Sequence, residues 1–596
     1  MSGITGFCRL DSMYGGASAE WAAVLDGMCG RLSHRGGGKE TRLCYDGACL
    51  AQTSRGGRRA APAARVPYEN GTACIVLDGE LYHSIGTAAS AEEFILRLVL
   101  REGIDALENL NGAFAGAVYL ESKRRLYLFR DHLGLKPLFY MPHDGGVLFG
   151  SEMKAVLQYP GVQVAVTKEG LCEVLGLGPA RRESSGVFAG MRSLLPGHYA
   201  VFDESGFHQV KYWGLDGAPC GDSFEEATAR VTALVSDAVS RQSGGKVCTF
   251  LSGGLDSSIV TALAASERTD AVDTFSFDFV DGDKHFAAND FQSQRDRPYV
   301  EQMARLLGTR HAFLECDSEQ LADALPDAMR ARDLPGMADV DASLLIFSRE
   351  VAKSHAVALS GECADELFNG YPWFHRADLV AHDGFPWSRD MAVRMAFLRD
   401  DVAETLDVPG FARAAYEHAR DATPVFYAES DRDAHEKQIS FLTIKWVMAT
   451  LLDRADRMCG FAGLGARAPF ADKRIAEYLW SLPWAVKNAD GVKGLLRAAF
   501  RGLLPDEILY RKKNPYPKTY NPAYERILAA RLQDVLANPN APIRQLADAD
   551  KVRAFIQSPQ DYGRPWYGQL MAGPQLLAYW LQINEWLQEY DIRINV

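Results

Sequence analysis

The stretch FLSGGLDSSIVTALAA at residues 250–265 decides the fold of the larger part of this chain. An apolar strand leads into paired glycines and Asp256, and a helix-forming run follows at once. The glycines let backbone N–H groups approach an anion closely, and the helix N-terminus adds positive charge. The stretch therefore predicts a strand, a pyrophosphate-binding loop and a helix. The loop comprises Ser252, Gly253, Gly254, Leu255, Asp256, Ser257 and Ser258.

This loop differs from a Walker loop because no lysine follows its glycines. The positive charge is instead expected from a metal ion held by Asp256. A hydroxyl-rich loop with one acidic residue suits an enzyme that keeps the β and γ phosphates as a leaving group and transfers AMP. A glycine-rich turn capped by serine and aspartate is the simpler interpretation.

A second acidic loop occurs in VALSGECADELFNGYPWF at residues 357–374, after another strand-like run. Asp365 is predicted to complete a Mg²⁺ site with Asp256, because Mg²⁺ is usually held by one or two carboxylates plus phosphate oxygens. Glu362 is predicted to act on an attacking amine as base or orienting group. Gly361 belongs to the same nucleotide-binding surface. Taken alone, the loop also fits an acidic helix N-cap with a solvated glutamate.

Strand-like runs alternate with helices around these loops, which predicts a parallel sheet with ligands at the carboxyl ends of its strands. Residues before about 205 instead show short alternating apolar runs joined by glycine-rich turns, which predict layered β structure. A connector that contains Gly and Pro separates the N-terminal part, with its short apolar runs, from the part in which strands and helices alternate. We predict an α/β protein with domains at residues 1–210 and 211–596, the second ending in helices.

Composition excludes several classes of protein. The 596 residues are 47% hydrophobic and 24% charged, with a net charge of −13 that argues against a general nucleic-acid or anionic-membrane surface. The 11 cysteines show no CxxC pair, so neither a zinc site nor a disulfide framework is expected. No leader-like or membrane-spanning run occurs. A cytoplasmic protein that binds neither nucleic acid nor membrane is expected.

The two loops, together with several ordered motifs, resemble the asparagine synthetase family. The motifs that carry this resemblance are SGGLDSS, SGECADELFNGY, DRADRMCGFAGLGARAPFAD (453–472), LLRAAFRGLLPDEILYRKK (495–513), HRG (34–36), DGELY (78–82) and GSEMKAV (150–156). The resemblance covers most of the chain. It implies an Ntn-type αββα glutaminase-like domain, followed by an ATP-pyrophosphatase domain with a parallel sheet.

The resemblance also implies roles for single residues. Asp256 and Asp365 would hold Mg²⁺ and pyrophosphate, while Leu251 and Ser276 would lie in the adenosine pocket. Lys513 would stabilise charge that develops during adenylation and acyl transfer, with Lys512 as the neighbour that could take this role instead. ATP and Mg²⁺ are the implied cofactors, and an AMP-forming carbon–nitrogen ligase is the implied enzyme class.

The N-terminal half departs from the family's glutaminase pattern at three positions. Ser2 stands where the family has its nucleophilic cysteine, Asp78 stands where an asparagine donates to the oxyanion, and Ala91 stands where an aspartate pairs with the substrate amine. A carboxylate at the oxyanion position would face developing negative charge. We expect the glutaminase to be inactive, although a serine nucleophile is chemically possible.

Without ammonia from glutamine, the substrate's own amine is the expected nucleophile. The segments 289–313, 511–525 and 566–592 resemble lasso peptide cyclases, in which an Asp or Glu side chain is adenylated and the peptide's N-terminal amine then closes an isopeptide ring. The expected partners are a leader-free core peptide, a leader peptidase and a leader-recognition protein. Aromatic residues of the last segment could line a peptide groove or pack in the core. These residues are Trp566, Tyr567, Tyr579, Trp580 and Trp586.

Other functions stay open. A small-molecule amide or β-lactam synthetase would use the same ATP chemistry, although the β-lactam synthetases place a tyrosine where this chain has Glu362. An asparagine synthetase-like enzyme could use free ammonia. A catalytically silent protein would bind ATP without releasing pyrophosphate, and the intact Asp256, Asp365 and Lys513 count against that function.

Overall fold

The computed structural model describes residues 2–14, 18–36, 39–54, 64–286, 288, 292, 294–388, 391–424, 430–557, 566–568 and 571–596. These residues form two compact units. The first unit contains residues up to Val166, Arg182–Gly214 and Gly460–Gly463, and the second contains Thr167–Arg181, Leu215–Cys459 and Leu464–Val596. The domain limits predicted at 210 and 211 stay a prediction.

The first unit is built on two antiparallel sheets. In spatial order, the described strands of one sheet are Arg192–Ser193, Phe139–His143, Gly146–Gly150, Ser2–Cys8, Ala48–Ser54 and Lys39–Tyr45. Those of the other are Gly206–Lys211, His198–Asp203, Arg125–Arg130, Gly112–Leu120, Gly71–Leu81 and Arg65–Tyr68. Its helical segments are Ser18–Gly30, Ser33–Gly36, Ala91–Glu102, Ile104–Asn109, Glu121–Lys123 and Met153–Leu157.

Alternation along strand Gly71–Leu81 explains the layering of this unit. Cys74 and Val76 pack between the two sheets, whereas Ile75 and Leu77 pack beneath helix Ala91–Glu102. Successive side chains of a strand point to opposite faces, so one strand contributes to both cores. Ser18–Gly30 covers the outer face of the other sheet. The layers are helix, sheet, sheet and helix, which confirms the predicted αββα fold.

The second unit contains a parallel sheet. Its described strands lie in the order Arg310–Cys316, Asp273–Phe279, Cys248–Phe250, Val357–Leu359 and Gly465–Arg467. Strands Cys248–Phe250 and Val357–Leu359 are short, because the residues that follow them belong to the two loops. The parallel sheet confirms the predicted α/β class.

Helices make up most of the rest of the second unit. They are Lys168–Cys172, Glu173–Leu177, Phe224–Gln242, Leu255–Ser266, Gly282–His285, Arg297–Leu307, Ser318–Asp323, Leu325–Arg332, Asp339–Ala352, Ala364–Leu367, Pro372–Phe374, Ala377–Val380, Met391–Met395, Asp400–Leu406, Val408–Asp421, Asp431–Leu442, Thr443–Met448, Ala449–Phe461, Lys473–Ser481, Trp484–Lys487, Gly494–Ala499, Asp506–Leu509, Pro522–Ala537, Pro542–Gln545, Ala549–Gln557 and Gly573–Glu589. Short strands occur at Ala165–Thr167 and Arg593–Asn595. Within the described ranges, no helix has the length and apolarity that a bilayer span requires.

The aromatic C-terminal segment contains the helix Gly573–Glu589, with Pro574 in its first turn. Residues 569–570 of the segment lie outside the described residues. Trp566, Trp580 and Trp586 are at most 1% exposed, and the Tyr579 hydroxyl donates to Val174 O at 2.6 Å. These four side chains are core, not groove.

Candidate active site

The glycine-rich loop lies at the carboxyl end of strand Cys248–Phe250, as predicted. Gly253 has a φ of +67°, and a Cβ there would lie 2.7 Å from Val300 N. Only glycine fits such a position without strain or a clash. Helix Leu255–Ser266 follows with Gly254 as its N-cap, so no side chain caps its first N–H groups. Those N–H groups stay available for an anion.

Serine hydroxyls hold the loop in shape. The Ser257 Oγ accepts from Ser252 N at 3.1 Å and lies 2.9 Å from the Ser252 Oγ. Five of the seven loop residues line a cavity of about 370 Å³, namely Ser252, Gly254, Leu255, Asp256 and Ser257. Gly253 and Ser258 do not line it. The Ser258 hydroxyl is fully buried.

The predicted adenosine-pocket residues are neighbours at the base of the same cavity. The Ser276 hydroxyl donates to Leu251 O, and both residues are less than 10% exposed and line the cavity. Leu251 N in turn donates to Phe275 O at 2.9 Å. The hydrogen bonds join the loop to strand Asp273–Phe279 and fix the floor of the pocket.

The second acidic loop packs directly against the first. A Cβ on Gly361 would lie 2.8 Å from Ser257 N, so glycine at 361 permits the two loops to touch. This approach brings Asp256 and Asp365 to the same side of the cavity, and both bind one ammonium group. The predicted pairing of these two carboxylates is thus present in the geometry.

Lys493 is the cation between the two carboxylates, and sequence reasoning missed it. Its Nζ lies 2.7 Å from the Asp256 carboxylate and 2.6 Å from Asp365 Oδ1. The two carboxylates outweigh burial and raise the pKa of Lys493. Lys493 has a φ of +55°, unusual for a lysine. The sequence offers no sign of this, because Lys493 precedes a short helix 128 residues after Asp365 in an unremarkable GVKGLL run.

Lys513 reaches the same centre from the extended segment after helix Asp506–Leu509. Its ammonium pairs with Asp365 and lies 3.9 Å from the centre of the Tyr371 ring. Burial opposes ionisation of Asp365, but Lys493 and Lys513 together hold its pKa well below the usual range. Lys512, the alternative for this role, is exposed. The geometry therefore brings Lys513 to the place where charge would develop.

Glu362 lies beside this centre and is 28% exposed. Burial raises its pKa, and the guanidinium of Arg454 offsets part of that rise. Arg454 Nη1 lies 3.5 Å from Glu362 Oε1, and the same side chain lies over the Tyr516 ring at 4.5 Å. Arg454 is 2% exposed, so it orients Glu362 from within the core.

The carboxylate pair suits a divalent cation only together with phosphate. No group of three or more His, Cys, Asp or Glu side chains in the described part of the chain could hold a metal by itself. Two carboxylates and phosphate oxygens are the oxygen ligands that Mg²⁺ prefers, and the uncapped N–H groups at the helix N-terminus would donate to the same phosphate. The residues present therefore fit a Mg²⁺–nucleotide complex.

The predicted glutaminase residues lie in the first unit and form a closed network. The Ser2 hydroxyl donates to Asp78 Oδ1 at 3.1 Å, and Arg35 Nη2 donates to Asp78 Oδ2 at 3.0 Å. Arg35 also donates to Glu152 at 2.9 Å, and Ser151 donates to Asp78 at 2.9 Å. Asp78 was predicted to face the developing negative charge of an oxyanion, and in the structure Arg35 and Ser151 both donate to its second oxygen.

Ala91, the third degenerate position, begins helix Ala91–Glu102. Ser90 is its N-cap and accepts from Glu93 N at 3.2 Å. The Ala91 side chain carries no polar atom and packs at the edge of the apolar cluster beneath the helix. It offers nothing to an amine.

Comparisons with known proteins agree with this geometry. A family model described as asparagine synthase matches residues 230–588, and one described as a glutamine amidotransferase domain matches residues 1–213. A Bacillus subtilis relative, asparagine synthetase [glutamine-hydrolyzing] 3, is 39% identical, and the match covers 100% of both chains. The B. subtilis asparagine synthetase [glutamine-hydrolyzing] 1 is 27% identical, with 76% of each chain covered.

A vertebrate relative extends the same similarity. The asparagine synthetase [glutamine-hydrolyzing] of Gallus gallus is 26% identical over 71% of this chain and 66% of its own length. A model match over more than half of the chain and a full-length relative above 30% identity agree. The chain belongs to the asparagine synthase family, and it is an ATP- and Mg²⁺-dependent, AMP-forming carbon–nitrogen ligase.

Proposed function

We propose that this protein adenylates the side-chain carboxylate of L-aspartate and forms the amide with free ammonia, without nitrogen from glutamine. The relatives named as glutamine-hydrolyzing asparagine synthetases support the substrate. The observation that supports ammonia rather than glutamine as the nitrogen source concerns the Ser2 hydroxyl. It is hydrogen-bonded to the Asp78 carboxylate, which Arg35 already neutralises. Because Arg35 and Ser151 also donate to this carboxylate, it is a weak base for the Ser2 hydroxyl and activates it little as a nucleophile.

The first step transfers AMP. The substrate carboxylate attacks the α-phosphorus of ATP, a new P–O bond forms, and the bond to pyrophosphate breaks. Ser252, Ser257 and the helix N-terminus bind the leaving pyrophosphate. Asp256 and Asp365 would hold Mg²⁺, which would neutralise part of the phosphate charge. Lys513 is placed to stabilise negative charge at the phosphorus and at the carbonyl carbon.

The second step forms the carbon–nitrogen bond. Ammonia attacks the carbonyl carbon of the acyl-adenylate, and AMP leaves with the electron pair of the broken C–O bond. Glu362, oriented by Arg454, accepts the proton that the nitrogen loses. Cavity walls of Phe250, Phe275, Phe347 and Tyr371 limit access of water, which would otherwise hydrolyse the adenylate.

The test measures AMP and asparagine with L-aspartate, ATP and Mg²⁺, using either ammonium or glutamine as the nitrogen source. We expect both products with ammonium and none above background with glutamine. Asp365→Asn should abolish both, while the exposed Lys353→Met serves as the matched control. Equal product from glutamine would overturn the proposed nitrogen source. Absence of AMP under both conditions would overturn the proposed substrate.

A second candidate is macrolactam formation in a lasso peptide, where the adenylated Asp or Glu side chain is attacked by the peptide's own N-terminal amine. The cavity supports it, because its lining includes Trp373, Trp387, Val447 and Tyr567, which suit apolar side chains of a peptide. Of the segments that suggested this function, residues 289–291, 293 and 569–570 lie outside the described residues.

This candidate requires a leader-free core peptide, a leader peptidase and a leader-recognition protein as partners. Mass spectrometry of peptides from cells that express the native gene neighbourhood tests it, with the intact protein or with Asp256→Ala. A peptide lighter by one water, found only with the intact protein, would support macrocyclisation. Linear peptide in both samples would contradict it.

A further inference from the structure

Lys518 lies on the segment that delivers Lys513 to the active site, and neither family motifs nor the proposed chemistry give it a role. Residues 511–521 form no helix, and Lys518 follows Tyr516, which lies against Arg454. Lys518 lines the same cavity as Glu362 and Lys513. A substrate bound in this cavity could therefore contact Lys518.

Other cations that line this cavity already hold partners. Lys493 and Lys513 bind Asp365, Arg454 binds Asp341 at 3.3 Å, and Arg511 binds Asp296 at 2.6 Å. In the described part of the chain, Lys518 forms no ion pair within 4.0 Å and no hydrogen bond. Its ammonium nitrogen lies 5.2 Å from the centre of the Tyr520 ring.

Asp339 is the acidic group whose charge acts on Lys518. Its carboxylate is 2% exposed, and its Oδ2 accepts from Gln575 Nε2 at 3.0 Å. Burial lowers the pKa of Lys518, and Asp339 offsets part of that effect from beyond ion-pair distance. A half-buried ammonium with no contacting anion is unfavourable unless a ligand completes the site.

Acidic side chains also line this cavity. Glu362, Asp365 and Glu366 would repel any carboxylate other than the one held for adenylation. Lys518 is a cation of the same lining, and no acidic group of the described residues lies within ion-pair distance of it. A substrate with two carboxylates would gain most by placing the unreactive one at Lys518.

We propose that Lys518 determines specificity by binding the substrate carboxylate that is not adenylated. This inference rests on the proposed function and names the part of the substrate that the enzyme recognises. For L-aspartate that group is the α-carboxylate. The reacting side-chain carboxylate lies at Lys513.

Pyrophosphate exchange into ATP, measured with L-aspartate and with its α-amide, tests the inference. The α-amide keeps the reacting carboxylate and lacks the second one. Lys518→Met should raise the KM for L-aspartate about tenfold to hundredfold, since a hydrogen bond between charged groups is lost. The KM for the α-amide and the KM for ATP should stay within about twofold. Lys518→Arg should keep most of the preference for L-aspartate.

The outcomes separate this inference from the function on which it rests. Exchange in the native enzyme with an unchanged KM for L-aspartate in Lys518→Met would overturn the inference alone. An equal rise for both substrates would show a structural role and would also overturn it. Absence of aspartate-dependent exchange in the native enzyme would overturn both proposals. Lys353→Met controls for loss of a lysine charge.

Discussion

Two charged clusters of similar composition have opposite relations to solvent. In the first unit, the side chains of Arg35, Asp78 and Glu152 are at most 1% exposed and bind one another. In the second unit, Asp256 and Lys513 are 21% and 25% exposed and line an open cavity. The comparison teaches that charged residues indicate a reaction site only where the fold leaves room for a ligand beside them.

The largest expected effect tests the closed cluster. Arg35→Met would leave Asp78 and Glu152 buried beside no guanidinium, and loss of one partner from a buried pair costs about 3–5 kcal/mol. We expect that decrease in the free energy of unfolding of the first unit, measured by urea denaturation. The exposed Arg42, paired with Asp26 and Glu40, provides the control: Arg42→Met should cost less than about 1 kcal/mol. Equal losses would contradict the comparison.

The open cluster is tested by Lys513→Met. Removal of one group that stabilises developing charge typically lowers turnover about 10²- to 10³-fold. We expect this loss in pyrophosphate release, with a melting temperature close to that of the native protein, because Lys513 is partly exposed. Lys512→Met, the adjacent substitution, should change turnover less than about threefold. A larger loss of turnover in Lys512→Met than in Lys513→Met would show that Lys512, not Lys513, stabilises the developing charge.

A smaller effect is expected from Glu366, a buried acid of the open cluster. Burial and the neighbouring Asp365 raise its pKa to about 7. The folded protein therefore keeps a proton that the unfolded chain releases above about pH 4.5. The stability that this proton gives is present below that pH and is lost as pH rises through about 7.

Glu366→Gln removes this dependence while keeping an acceptor for the Tyr371 hydroxyl, 2.5 Å from Glu366 Oε1. From about pH 5 to about pH 8, the melting temperature of the variant should rise relative to the native protein by about 1–3 °C. Calorimetry at several pH values measures the difference. A difference that falls with pH would contradict the assignment.

The smallest effect is expected at Ser2. Ser2→Ala should leave ammonium-dependent amide formation within about twofold, because it removes only the two hydrogen bonds of the Ser2 hydroxyl, to Asp78 and from Gly79 N, each worth about 1 kcal/mol. Ser2→Cys restores the thiol but leaves Asp78 and Arg35 in place, so glutamate release from glutamine should stay at background. Glutamine hydrolysis by Ser2→Cys would show that the hydrogen-bonded network around Asp78 opens to admit a substrate. It would contradict the contrast between a closed and an open charged cluster.

The sequence predicted both folds and the two acidic loops, because glycine pairs and alternating apolar runs act over short distances. It placed Asp256 and Asp365 together through the rule that parallel strands end at one edge of the sheet. Lys493 could not be predicted from the residues beside it, since its role comes from packing between segments far apart in the chain. The same reason explains Arg454, which orients Glu362.

Asp78 shows the opposite limit of sequence reasoning. Its position in the motif predicted a carboxylate facing a ligand. The sequence does not reveal that Arg35 and Ser151 donate hydrogen bonds to this carboxylate. The sequence left groove and core both open for the aromatic C-terminal segment for a similar reason. An aromatic side chain looks the same in a sequence whether it lines a groove or fills a core, and burial distinguishes the two.

The surroundings of Gly253 bear on attempts to transplant the phosphate loop into another scaffold. Arg511 donates to Gly253 O at 2.9 Å, and Tyr299 and Val300 occupy the space that any side chain at 253 would need. The seven residues of the loop therefore keep their shape only against residues about 40 and 260 positions away. A graft of SGGLDSS alone would transfer the sequence of the motif but not the loop conformation. A graft that also includes helix Arg297–Leu307 and Arg511 would transfer both.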